Sequence, residues 1–131
     1  MTHDDGLGMS PAKKKSAKKA VAKKVAKKGA HLQEKLQELR AHEIVGDVRG
    51  LGLLGAVELV KDRKTKELFD VSAGAARNVW LAALQEGVIV RPLTGDVVAI
   101  SPPFVITEQQ IDRIVETLHT AIDAVSRKLR G

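Results

Sequence analysis

The chain has 131 residues and a formal net charge of +6, with 44% hydrophobic residues, one Trp, two Phe and no Cys. That is enough for one modest domain with a single core. It excludes disulfides, thiolate metal sites and cysteine nucleophiles, and fits a reducing cytoplasm. No run reaches the roughly 18 apolar residues of a membrane span, and the opening "MTHDDGLGMS" has acids but no apolar segment, unlike a secretory signal.

The charge is concentrated at one end. Residues 1–30 hold nine Lys and two Asp, whereas residues 31–131 hold 13 Lys+Arg against 14 Asp+Glu. Residues 1–30 therefore read as a separate Lys/Ala-rich tail or linker. Like charges leave such a segment disordered on its own, while Ala and Lys favour a helix once a polyanion removes the repulsion. Val21, Ala22, Val25 and Ala26 would then share one face. The composition resembles the Lys/Ala-rich tails of H1-like histones and bacterial nucleoid proteins. That implies phosphate contacts by Lys13, Lys14, Lys15, Lys18, Lys19, Lys23, Lys24, Lys27 and Lys28, salt-dependent and indifferent to sequence. No aromatic residue stands among them to stack on bases. A solvated, solubilising tail, or a linker left by gene rearrangement, accounts for the same composition.

From residue 31 the pattern changes. "HLQEKLQELRAHE" places Leu32, Leu36 and Leu39 on one stripe of a short helix. Ala56–Val60 reads as a strand, and "KDRKTKELFD" as a charged surface connection. Ser72–Glu86 reads as a helix with Ala76, Val79, Trp80, Ala83 and Leu84 inward, ended by a C-cap glycine at Gly87. "VIVRP" is a short strand that Pro92 brings to an end, "VVAI" is another, and Gly95-Asp96 turns between them. Thr107 and Gln110 form a capping box before a helix striped by Ile111, Ile114, Val115, Leu118, Ile122, Val125 and Leu129. The expected fold is α+β: a small antiparallel or mixed sheet with helices on one face.

Gly50, Gly52 and Gly55 spell G-x-G-x-x-G, the lettering of a dinucleotide loop. Such a loop requires a buried strand before the glycines and a helix after them. Here "EIVGDVR" before them is polar and interrupted, and a strand follows. Asp70, near the spacing of a ribose-binding acid, falls in the charged connection. The glycines are expected instead to permit a bulge or a close backbone approach.

"VGDVRGLGLLGAVELV" at Val45–Val60 and "EGVIVRPLTGDVVAISPPFVITEQQIDRIVETL" at Glu86–Leu118 together resemble the C-terminal small domain of class III (omega-amino acid:pyruvate type) aminotransferases. These are fold-type I enzymes that use pyridoxal phosphate. The likeness covers residues 31–127, which sets a domain at 31–131 behind the tail. It implies that Arg91, in V-R-P-L-x-G-D, binds the substrate carboxylate, a role suited to a planar fork of donors. Asp96 across the turn is the alternative partner for Arg91. The resemblance also implies a large domain bearing the Schiff-base lysine, the pyridine-pairing carboxylate, the stacking aromatic and the phosphate-binding turn. None of these is found in the 131 residues, and neither the solvated tail lysines nor Lys35 suits the lysine's role.

The sequence thus implies a truncated family member that keeps the small domain, is not catalytic alone and binds no pyridoxal phosphate by itself. Its expected partners are an aminotransferase subunit or large domain, or a second copy meeting it through an exposed apolar face. The alternative is a non-specific nucleic-acid-binding protein acting through the tail. His3, His31, His42 and His119 show no metal-ligand spacing and are expected to be structural or exposed. Asp112 and Glu116 read as a solvated face, Ser101 has no activating neighbour, and Trp80 belongs to the core.

Overall fold

The C-terminal helix is the element most completely determined by its own residues. In the structure, a computed structural model that describes residues 11–130 with side chains from Ala17 onward, this helix is α3 (Glu108–Arg130). The Thr107 N–H donates to Gln110 Oε1 at 2.9 Å, and the Gln110 N–H donates to Thr107 Oγ1 at 3.1 Å. Both arms of the expected capping box are therefore made. Ile111, Val115, Leu118, Ala121, Ile122 and Val125 are buried along one face. Thr107→Ala is expected to cost about 1 kcal/mol, read as a lower urea midpoint at unchanged slope; an unmoved midpoint would show that the cap is not formed.

Helix α1 runs from Pro11 to Gln37 without a break and is followed by a single 3-10 turn at Glu38–Ala41. The division expected at residue 30 falls inside this helix. Val25, Gly29, Leu32, Leu36 and Leu39 recur every three or four residues, which keeps them on one side. Gly29 is buried there, and a Cβ on it would lie 2.8 Å from Gly52 Cα. The last turns of the lysine-rich stretch thus belong to the packed body. His3 and the side chains of Lys13, Lys14 and Lys15 lie outside the described residues.

Four strands form one antiparallel sheet in the order β1-β2-β4-β3: β1 (Val45–Leu51), β2 (Leu54–Leu59), β3 (Arg91–Leu93) and β4 (Val97–Ile100). Strand β1 corrects the polar, interrupted reading of "EIVGDVR". Gly46 breaks the alternation at a register shift between Val45 and Asp47, where a Cβ would collide with the Val60 side chain. Val48, Val57, Leu59, Val98 and Ile100 point inward. Helix α1 covers β1 and β2, α2 (Ala75–Gln85) covers β3 and β4, and α3 packs on the two helices. Lys27 faces Glu108, His31 faces Asp112 and Glu38 faces His119, so α1 and α3 run parallel.

Asp70 caps the short 3-10 turn Val71–Ala73 that precedes α2, its carboxylate accepting from both the N–H and the hydroxyl of Ser72. The exit from α2 is a Schellman ending. Gly87 takes φ +82°, with its N–H on Leu84 O and the Val88 N–H on Ala83 O. Ala75, Ala76, Val79 and Ala83 are buried and Trp80 is half-buried, but Leu84, expected inward, is exposed.

Candidate functional site

The glycine motif is a hairpin. Gly50 and Gly55 pair across β1 and β2, and the turn between them, Gly52-Leu53, places Gly52 at φ +59°. A strand does precede the glycines, contrary to the sequence reading, but a strand also follows, so no helix N-terminus is available for a phosphate. The glycines admit α1 instead. A Cβ on Gly50 would strike the Gln33 side chain, and one on Gly55 would strike Leu36 Cδ1. Gln33 Nε2 donates to the carbonyls of Gly52 and Leu54, both at 2.8 Å.

Arg91 opens β3. It pairs in register with Ala99, whose neighbours Val98 and Ile100 point inward, so Arg91 and Ala99 point outward. One outward row therefore runs Arg49, Ala56, Ala99, Arg91 across the sheet. Its two arginines are not equivalent. Arg49 is held by Glu58 at 2.8 Å and Asp47 at 3.2 Å. Arg91 is exposed and makes no hydrogen bond or ion pair among the described residues. Asp96, its alternative partner across the turn, instead caps α2 by accepting from the Ala76 N–H at 3.2 Å. Buried Val88 and Val90 fix the approach to β3, and the small side chains of Ala56 and Ala99 leave room beside the guanidinium. An anchored base with an uncommitted fork of donors suits a carboxylate.

The lysines lie elsewhere. Lys18, Lys19, Lys23 and Lys24 are exposed on α1. Lys27 is 3.9 Å from Glu108, and Lys28 donates to the Phe104 carbonyl at 3.1 Å. Helix α1 covers the inner face of β1 and β2, whereas Arg91 stands on the outer face of β3, so the two sets are not brought together. No polar or charged residue is buried among the described residues, so there is neither a desolvated lysine nor an enclosed carboxylate among them. Lys35 pairs with Glu38 at 3.6 Å.

Sequence reasoning missed a polar seam between α1 and α3, because its members come together only through parallel packing. His31 Nε2 lies 2.6 Å from Asp112 Oδ1, which places Asp112 against α1 rather than on a solvated face. His42 Nε2 lies 2.9 Å from His119 Nδ1. Burial, and then the His119 charge, hold the His42 pKa below its ordinary 6.5, with Asp123 opposing. A histidine with a lowered folded pKa leaves the unfolded chain binding more protons, so its stability contribution falls as pH drops below about 6.5. His42→Gln is expected to flatten the decline in urea-unfolding stability between pH 7 and 5; parallel profiles would exclude His42 as its source. No group of three or more metal-ligating side chains is found among the described residues.

Fold and site define a helix-backed antiparallel α+β domain that presents one uncommitted arginine on its open sheet face. The family profile for class-III aminotransferases matches residues 14–122, so the chain belongs to the class III aminotransferase family. The adenosylmethionine-8-amino-7-oxononanoate aminotransferase of Geobacter sulfurreducens is 48% identical over 95 residues, covering 72% of this chain and 21% of that protein. The putrescine–pyruvate aminotransferase of Pseudomonas aeruginosa is 39% identical over 93 residues, covering 71% and 20%. Among solved structures, the omega-transferase from Vibrio fluvialis JS17 superposes with a TM-score of 0.81 at 30% identity, covering 86% of this chain and 26% of that one. The chain thus spans about a fifth of the length of these curated relatives.

Proposed function

We propose that these residues act as the small-domain portion of a class III pyridoxal-phosphate-dependent aminotransferase, in which Arg91 grips the substrate carboxylate. The supporting observation is the superposition of 86% of the chain on about a quarter of a transaminase. In such enzymes pyridoxal phosphate supplies the electron-withdrawing ring through which an amino group is exchanged. This chain's own contribution is to hold Arg91 at the start of a strand, with its donors directed away from the core. The Schiff-base lysine and phosphate cradle come from residues other than these, so the 131-residue polypeptide does not transaminate by itself. Its partner is the large-domain portion of an aminotransferase. Leu51, Leu54, Phe104 and Val105, all more than half exposed, are apolar surface suited to being covered in that assembly. The cysteine-free composition fits a cytoplasmic setting.

The test is a chimera in which residues 14–122 replace the matching segment of the Geobacter sulfurreducens relative. It is expected to bind pyridoxal phosphate and exchange amino groups, whereas the 131-residue chain with added cofactor does neither. A chimera that folds and loads cofactor without turnover would overturn the small-domain reading. Turnover by the isolated chain would overturn the division of labour.

A further inference from the structure

We propose that the amino-terminal half of α1 is a phosphate-backbone binding surface that holds duplex nucleic acid without regard to sequence. Every residue from Ala17 to Lys24 is exposed. Val25 packs against the core and Lys27 faces Glu108. Residues 11–24 make up about 21 Å of helix at 1.5 Å per residue, with Phe104 beside Ala17, Lys18 and Val21 on one side of it. No acid occurs between Pro11 and Gln33, so nothing within the segment neutralises it. Lys19, Lys23 and Lys27 form one row with about 6 Å between steps along the axis, and Lys18 and Lys24 flank it. Between them stand only Ala and Val, short enough to let the ammonium groups reach a polyanion.

Charge complementarity selects the occupant. A duplex carries one negative charge per roughly 1.7 Å of axis, and each lysine that neutralises a phosphate releases a counterion. A membrane surface fits less well, because interfacial helices bury Trp, Phe or Leu, and residues 11–31 contain none of these.

The experiment uses the full chain and two 25-base-pair DNA duplexes of unrelated sequence, with fluorescence anisotropy read from 50 to 200 mM NaCl. Equal affinity for both duplexes is expected, with a log–log salt slope of about −3 to −5 and hence a loss of roughly 60- to 1,000-fold across that range. Replacing Lys18, Lys19, Lys23 and Lys24 with Gln, a comparable helix former, is expected to flatten the slope by about 3 to 4. Replacing Lys61, Lys64, Arg127 and Lys128 with Gln removes the same charge elsewhere and is expected to leave the slope unchanged. Circular dichroism checks that each variant is folded. Three results would each overturn the proposal: no binding at 50 mM, equal flattening by the two variants, or binding to phosphatidylglycerol vesicles without binding to duplex.

Discussion

Gly29→Ala is expected to destabilise the protein by about 1–3 kcal/mol, although Ala is the better helix former by about 1 kcal/mol. The sign is the informative part. Were Gly29 the hinge of a separate tail, adding a methyl group would stiffen the helix and raise stability. In the structure the added Cβ meets backbone: Gly52 Cα at 2.8 Å and Gly52 C at 2.9 Å. Backbone in a hairpin turn cannot rotate aside as a side-chain tip can. The helix must lift, and lifting loosens Leu32 and Leu36, both fully buried beneath it, along with the two hydrogen bonds from Gln33. Urea unfolding at pH 7 decides the matter; a variant more stable than wild type would detach α1 from the hairpin.

Arg91→Ala in the chimera is expected to lower kcat/KM for carboxylate-bearing substrates by about 10- to 150-fold, the equivalent of about 1.5–3 kcal/mol for hydrogen bonds to a charged group. Amines without a carboxylate should react at nearly the wild-type rate. Arg91→Lys keeps the charge but not the planar fork and should recover only part of the loss. The side chain is exposed and unpaired among the described residues, so its removal leaves the fold intact. An equal loss for both substrate classes would assign Arg91 to architecture rather than recognition.

Local signals account for most of what was legible in the sequence. The box at Thr107 and Gln110, the stripe along α3, the left-handed Gly87 and the strand at Val97–Ile100 each rest on neighbouring residues and reappear as expected. What stayed hidden depends on distant partners. Strand β1 escaped because Gly46 and Gly50 blank its alternation, and the reasons for those glycines, Val60 and Gln33, lie elsewhere in the chain. The His42–His119 pair joins residues 77 apart. The extent of α1 was readable in principle: Val25 and Gly29 continue the spacing of Leu32, Leu36 and Leu39 backwards, but the change in composition masked the continuity of pattern. Arg91 stands out as a carboxylate-binding candidate only through the V-R-P-L-x-G-D resemblance, since its own neighbours suggest a surface residue paired with Asp96.

The continuity of α1 has a consequence for how its lysine end becomes ordered. Starting a helix is the unfavourable step, and fewer than about 12–15 residues seldom sustain one alone in water. Residues 11–24, crowded with like charge, would not start one. Joined without interruption to a turn already clamped over the hairpin, they need only propagate, one hydrogen bond at a time. The body therefore acts as a seed crystal for the basic segment. Warming should erode the helix gradually from Pro11 inward, while the rest melts in a single step.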